Sequence, residues 1–206
     1  GAVARIADHE WPGQHIDSVR DLLAGLSRLT VIPVEDVEGL LATIPGAAGF
    51  VRGTLRDTSN PTVLSGGYKH NVVPQTATAA IDCRFLPGHE DDVMATIREL
   101  AGPHVEVEVH HRDIALETDL EGPLVEAMIA AIGAEDPGAT VLPYCLSGGT
   151  DNKALATLGI TGYGFAPLRL PEDLPFAPMF HGIDERVPVD ALTFGVKVLR
   201  RLVATS

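Results

Sequence analysis

Apolar residues set a helical stripe at Val3, Ile6 and Ala7 with no capping residue ahead of it, and Trp11-Pro12-Gly13 breaks it. A second stripe, Ile16, Val19, Leu22, Leu23 and Leu26, runs on to Leu29, and another helix is predicted at 35–44. From Pro45 to Asn60 no period is clean, so mixed helix and loop is expected. A strand is predicted from Thr62 to Lys69, and a second one after Pro74. In the second, Ala77, Ala79, Ile81, Cys83 and Phe85 share one face, while Thr76, Thr78, Asp82 and Arg84 take the other. Leu86-Pro87-Gly88-His89 turns the chain into an amphipathic helix marked by Val93, Ile97 and Leu100, and Val105, Val107 and Val109 then alternate as a strand.

Beyond Leu116 the pattern becomes helix (124–132), strand (140–146), glycine loop, helix (151–158), strand (160–165) and a terminal helix (190–203). The predicted fold class is α/β (α+β). Residues 1–115 follow the order of a ferredoxin-like βαββαβ unit lacking its first strand, and residues 116–206 follow α/β wiring. Three strands make a thin sheet, so the second part is expected to dock on something or to belong to a larger domain.

Charge narrows the partners. The 206 residues carry 28 acidic against 15 basic side chains, a formal net charge of -13, which opposes binding to nucleic acid and to anionic membrane surfaces. No apolar run approaches the roughly 20 residues of a membrane helix, and Gly1-Ala2-Val3-Ala4-Arg5 lacks signal-peptide architecture. Cys83 and Cys145 form no C-x-x-C pattern. These features lead to the expectation of a cytoplasmic protein.

Three segments carry candidate chemistry. Ser147-Gly148-Gly149-Thr150-Asp151 lies between a predicted strand and a predicted helix, where backbone amides and a helix N-terminus favour an anion; Thr150 or Asp151 as a plain N-cap explains it equally well. An unperturbed imidazole has its pKa near neutrality, so a histidine in a loop such as His181, in Met179-Phe180-His181-Gly182, suits a metal ligand or a base, although one histidine among eight is more often structural or solvated. Asn71, before Pro74, and Arg84 on the following strand could clamp a carboxylate, or could be turn chemistry and a surface ion pair with Asp82. His15-Ile16-Asp17 has H-x-D spacing but no strand before it. Adjacent His110 and His111 point to opposite faces, and the acidic run after His89 is what a helix start favours.

Taken in order, Asn71-Val72-Val73-Pro74, Cys83-Arg84, Ser147-Gly148-Gly149-Thr150-Asp151 and Phe180-His181-Gly182 resemble the M20 family of zinc metallopeptidases and amidohydrolases. That family includes aminoacylases, carboxypeptidases and desuccinylases. The resemblance implies a catalytic domain interrupted by a ferredoxin-like lid, often used for dimerisation, with this chain corresponding to the lid (1–115) and the resumed catalytic segment (116–206). It implies His181 as the last zinc ligand, and Asn71, Arg84, Ser147, Gly148, Gly149 and Thr150 as the grip on a substrate carboxylate. The expected substrate is a small peptide or N-acyl amino acid, and a homodimer through the lid is expected. Two zinc ions are implied for the complete enzyme. Most of their ligands belong to upstream H-x-D and Glu-Glu motifs, and the chain has no Glu-Glu pair. The chain is therefore expected to be part of a longer enzyme, to retain no zinc and to be inactive alone. The alternative is a non-catalytic ferredoxin-like module for self-association or small-molecule sensing.

Overall fold

The computed structural model describes residues 1–205. In chain order its elements are α1 (Ala2–Ala7), α2 (Asp17–Thr30), α3 (Val37–Ala42), α4 (Ala48–Arg52), β1 (Thr58–Gly66), β2 (Ala77–Arg84), α5 (Glu90–Ala101), α6 (Pro123–Glu135), α7 (Asn152–Thr157), α8 (Phe176–Met179) and α9 (Val189–Thr205). The fold is mixed α/β, with one two-stranded antiparallel sheet among the described residues. The chain forms two compact units. One joins Gly1–Ile16 to Leu55–Leu116, and the other joins Asp17–Thr54 to the residues from Glu117 on. The single division expected near Leu116 thus gains a second: residues 17–54, read from sequence as continuous with 1–115, pack with the C-terminal part.

In the first unit, α5 buries Val93, Ile97 and Ala101 against Ile6 of α1 and Trp11, and Ile81, Cys83, Phe85 and Val107 complete this core. Arg5 fastens α1 to the end of α5. Its Nε donates to the Leu100 carbonyl at 2.8 Å and its guanidinium to Ala101 at 2.9 Å, satisfying acceptors that a helix C-terminus leaves open. Gly102 ends α5 at φ +82°, a conformation that favours glycine. Buried polar groups are paired: Trp11 Nε1 donates to Ser59 Oγ at 3.0 Å, and that hydroxyl donates to the Ile6 carbonyl at 3.1 Å. Asp57 accepts from the Leu86 amide at 2.7 Å and lies 2.8 Å from His89 Nδ1, tying the β2–α5 turn to the chain entering β1.

The hairpin register runs from Thr58 opposite Arg84 to Gly66 opposite Ala77, with a bulge between Pro61 and Val63. Pro61 has no amide to donate, and a bulge is where a strand tolerates that. The alternation of β2 is as the sequence implies, but only Ile81, Cys83 and the following Phe85 reach the core; Ala77 and Ala79 are exposed. β1 also begins four residues earlier than expected. Residues 105–109 form no strand: Val107 packs on the core while Val105 and Val109 stay largely exposed, and no ladder partner lies beside them among the described residues.

In the second unit, α2 buries Val19, Leu22, Leu23 and Leu26, and α3 buries Leu40 and Leu41. Asp36 caps α3, its carboxylate accepting from the Gly39 amide at 2.9 Å. Leu142 fills the notch at Gly25, where a Cβ would stand 2.3 Å from its Cδ2. α6 packs on α9, with Val125, Met128 and Ala131 buried on α6, Ala191 and Val198 buried on α9, and Arg201 paired to Glu135, while Gly195 of α9 lets the Pro167 carbonyl approach closely. The strands expected at 140–146 and 160–165 are absent as ladders: the apolar side chains find packing, as Leu142 does, but the backbone finds no neighbouring strand among the described residues. No helix among them is long and apolar enough to cross a membrane.

Candidate functional site

The candidate residues fall in both units. In the first, Asn71 is exposed on the turn that joins β1 to β2, while Arg84 is the last residue of β2. The eight residues of β2 span roughly 23 Å at strand rise, so Asn71 and Arg84 lie toward opposite ends of the hairpin. Arg84 is already engaged. Its Nε and a terminal nitrogen donate to the two carboxylate oxygens of Asp82 at 2.8 and 2.9 Å. Asp82 lies two residues before it on the strand, so both side chains leave the same face. Donation to the Asp82 carboxylate holds the Arg84 guanidinium's pKa above its ordinary value, partly offset by burial. The Arg84 side chain is 53% exposed, so the pair contributes only about 0.2–1 kcal/mol. A substrate carboxylate there must replace Asp82 or share the fork with it.

The second unit holds the glycine loop and His181. Ser147 is half-buried against Gly53, where a Cβ would come within 2.9 Å of its Cβ and Oγ; the loop sits that close only because residue 53 is glycine. Gly148, Gly149 and Thr150 are exposed. Asp151 holds the N-cap position of α7 but its side chain makes no cap hydrogen bond, and α7 is only six residues long. The positive charge near the loop comes instead from Lys153, whose Nζ lies 3.9 Å from where a Cβ on Gly149 would stand.

His181 is exposed and adopts φ +59°, a left-handed backbone that a non-glycine residue seldom takes. Its neighbours hold it there: Met179 is buried and accepts the Gly182 amide at 2.9 Å. Phe180 packs edge-on against Phe50 of α4 and against Phe176, with ring centroids 5.1 and 5.2 Å apart. Phe50 also meets Tyr144 at 6.4 Å. α4 and the Gly53 that ends it thus touch both candidate segments, the glycine loop through Gly53 and the His181 turn through Phe50. Sequence reasoning missed this link, because the five residues of α4 lie in a stretch without periodicity; the Gly46, Gly49 and Gly53 spacing was the available signal, since Ala177 donates to the Gly46 carbonyl at 3.0 Å and packs on Gly49.

Burial raises the thiol pKa of Cys83 and Cys145, and both are free. Among the described residues no three His, Cys, Asp or Glu side chains gather so as to hold a metal ion. The residues present therefore do not fit a complete zinc site, and His181 stands as a single donor.

Residues 2–108 match the family model of the M20 peptidase dimerisation domain. The chain belongs to this family. Relatives extend over both units. A putative succinyl-diaminopimelate desuccinylase DapE of Mycobacterium tuberculosis is 29% identical over 195 residues, 93% of this chain and 47% of its own length. Human aminoacylase-1 is 27% identical over 151 residues, 69% of this chain and 35% of its own. An N-fatty-acyl-amino acid synthase/hydrolase of Xenopus tropicalis is 27% identical over 174 residues, 81% of this chain and 33% of its own. The chain spans about half the length of the curated relatives it matches, or less. In fold it is similar to the M20 family metallo-carboxypeptidase Sso-CP2 of Sulfolobus solfataricus, at a TM-score of 0.60 and 17% identity, covering 98% of this chain and 51% of that one.

Proposed function

We propose that this chain supplies the dimerisation lid and a C-terminal catalytic segment of a zinc-dependent M20 amidohydrolase, one that cleaves an amide or peptide bond beside a carboxylate-bearing group. The observation that carries this reading is the family match over residues 2–108 together with hydrolase relatives that continue across most of the chain. The lid role goes to the first unit, and the catalytic role to the part of the second that begins at Glu117.

Zinc would polarise the scissile carbonyl and supply hydroxide near neutral pH. This chain's own residues have other work. His181 offers one donor nitrogen from a turn whose backbone is fixed by Met179 and Gly182. Arg84 offers a fork that matches a carboxylate, with Asp82 as the group that orients it while no substrate is bound. Asn71 offers an amide for directional selection, and Ser147 to Thr150 offer backbone amides with Lys153 beside them. Small peptides and N-acyl amino acids are the proposed substrates, and pairing of two copies through the first unit completes the proposal.

The test compares the full-length parent with the chain alone, both loaded with zinc, on N-acyl amino acids, dipeptides and N-succinyl-diaminopimelate. The expected result is hydrolysis of at least one class by the parent, none by the chain, and loss of activity in the parent's His181→Ala variant. Full activity from the pure chain, or no hydrolysis of any of these substrates by the parent, overturns it.

A further inference from the structure

Phe180 and His181 are the central residues of a tight turn. Phe180 has φ -59° and ψ 127°, His181 has φ +59°, and the Gly182 amide donates to the Met179 carbonyl at 2.9 Å, the pattern of a type II β-turn. Such a turn calls for glycine at its third position, where φ is positive. This chain puts its glycine one residue later and a histidine at the strained position, so the surroundings of the turn have to hold it. Those surroundings come from residues 46–53. Gly46, Gly49, Phe50 and Gly53 follow the i, i+3, i+4, i+7 spacing of one helical face, running through α4 to the glycine that ends it. The glycines are close approaches: the Gly46 carbonyl accepts the Ala177 amide at 3.0 Å, a Cβ on Gly49 would stand 3.3 Å from that of Ala177, and one on Gly53 2.9 Å from that of Ser147. Phe50 is the one large side chain among the four. Its ring meets that of Phe180 at an interplanar angle of 88°, and Phe180 meets Phe176 at 90°, the edge-to-face geometry that aromatic pairs prefer.

We propose that Phe50 is a positioning residue for the hydrolytic reaction: through Phe180 it holds His181 in the left-handed turn, and through the shared helical face it keeps that turn in register with the glycine loop packed on Gly53. With Phe180 wedged between two rings, the turn is anchored at the residue before the strained one. Without Phe50 one wall of the wedge is gone, and the backbone is free to move toward the conformation a histidine prefers. Residues 17–54, inserted in the sequence of the first unit, thereby serve the site of the second. The proposal deepens the assignment of hydrolase function and rests on it for the kinetic part of its test alone.

Two measurements test this, each on Phe50→Ala, Phe50→Leu, Phe50→Tyr and, as a control for lost stability, Met128→Ala, which empties a buried position on α6. In the full-length enzyme, kcat is expected to fall on the order of 10- to 100-fold in Phe50→Ala and Phe50→Leu while KM changes by less than about three-fold, the split produced by a misplaced group rather than by weaker binding. Phe50→Leu keeps apolar volume and guards against a variant that fails to fold. Phe50→Tyr keeps the ring and restores most of kcat. Met128→Ala lowers the melting temperature at least as far as Phe50→Leu and leaves kcat near wild type. Unchanged kcat in the alanine and leucine variants, a loss confined to KM, or an equal loss of kcat in Met128→Ala overturns the proposal. The second measurement needs no turnover: NMR of the chain itself, reading the one-bond Hα–Cα and the amide couplings of His181, which separate left-handed from right-handed backbone. Left-handed values are expected in the wild type, Phe50→Tyr and Met128→Ala, with a shift toward right-handed values in Phe50→Ala and Phe50→Leu. A right-handed His181 in the wild type, or couplings that ignore the loss of Phe50, overturns the proposal even where kcat falls. Failure of the parent on every substrate, with couplings that respond to Phe50, refutes the hydrolase reading and leaves Phe50 as the residue that holds the turn.

Discussion

Removing the Asp57 carboxylate is expected to unfold the first unit far more easily than its size suggests. The side chain is buried and serves two groups from the β2–α5 turn, the Leu86 amide at 2.7 Å and His89 Nδ1 at 2.8 Å. In Asp57→Ala the Leu86 amide loses its partner, and a buried donor left unsatisfied costs about 1–3 kcal/mol. The contact to His89 adds about 1 kcal/mol, and the vacated volume adds a little more. A total near 3 kcal/mol is expected, more than a hundred-fold in the folded-to-unfolded ratio. Asp57→Asn keeps a carbonyl oxygen for the Leu86 amide and should lose only about 1 kcal/mol. Urea unfolding followed by fluorescence reads the effect directly, because Trp11, the one tryptophan, lies buried in the same unit. A shift in midpoint at constant slope gives the free energy. A loss below about 1 kcal/mol in the alanine variant, or equal losses in both, refutes the account of the turn.

Three further outcomes follow from other contacts. Arg84→Ala should change stability by less than about 1 kcal/mol, because its pair with Asp82 is half-exposed, yet lower kcat/KM on carboxylate-bearing substrates in the full-length enzyme; a large loss of melting temperature would show a structural role instead. Gly53→Ala places a Cβ 2.9 Å from Ser147, so a cost of about 1–3 kcal/mol is expected, with chemical-shift changes concentrated in residues 146–150; silence in that loop counts against the packing. Burial raises the Cys83 and Cys145 thiols, so alkylation by iodoacetamide should be slower than for an unfolded peptide and should climb with pH only beyond the usual thiol range of about 8.5. With raised pKa values in the folded state, the corresponding stability is intact below the unfolded thiol pKa and declines as pH rises through the folded one, so alkaline unfolding should come earlier than in the double serine variant.

Much of this was legible in the chain. The stripes of α2, α5 and α9 located three helices within a few residues, and the alternation of β2 named Ile81, Cys83 and Phe85 as its inward side. Periodicity reports which side chains a backbone must hide, and it does so locally. Strand pairing is not local, which is why Val105–Val109 and the stretches 140–146 and 160–165 read as strands yet form no ladder here. Arg84 was named from sequence with both of its outcomes, and the structure shows the ion pair with Asp82. The affiliation of residues 17–54 was not legible, since nothing in an amphipathic helix states which body it will cover; Gly25 and Gly53 carried the answer as close approaches to Leu142 and Ser147. Phe50 escaped for the same reason, being one aromatic ring in an aperiodic stretch.

The entry and exit of that 17–54 segment are clasped together. Gly13 bridges Arg56 in antiparallel fashion, and the Gln14 amide donates to the Leu55 carbonyl at 3.0 Å. The two strands of chain leaving the first unit are therefore already neighbours, and thirty-odd residues hang from a gap that a short reverse turn could close. Topologically the segment is an excursion rather than a joint. A shortened gene joining residue 16 to residue 55 through an Asn-Gly turn would preserve every contact that α1 makes with α5 and β1, which makes this the natural seam at which insertions can be gained, exchanged or lost while the remainder of the first unit stays as it is.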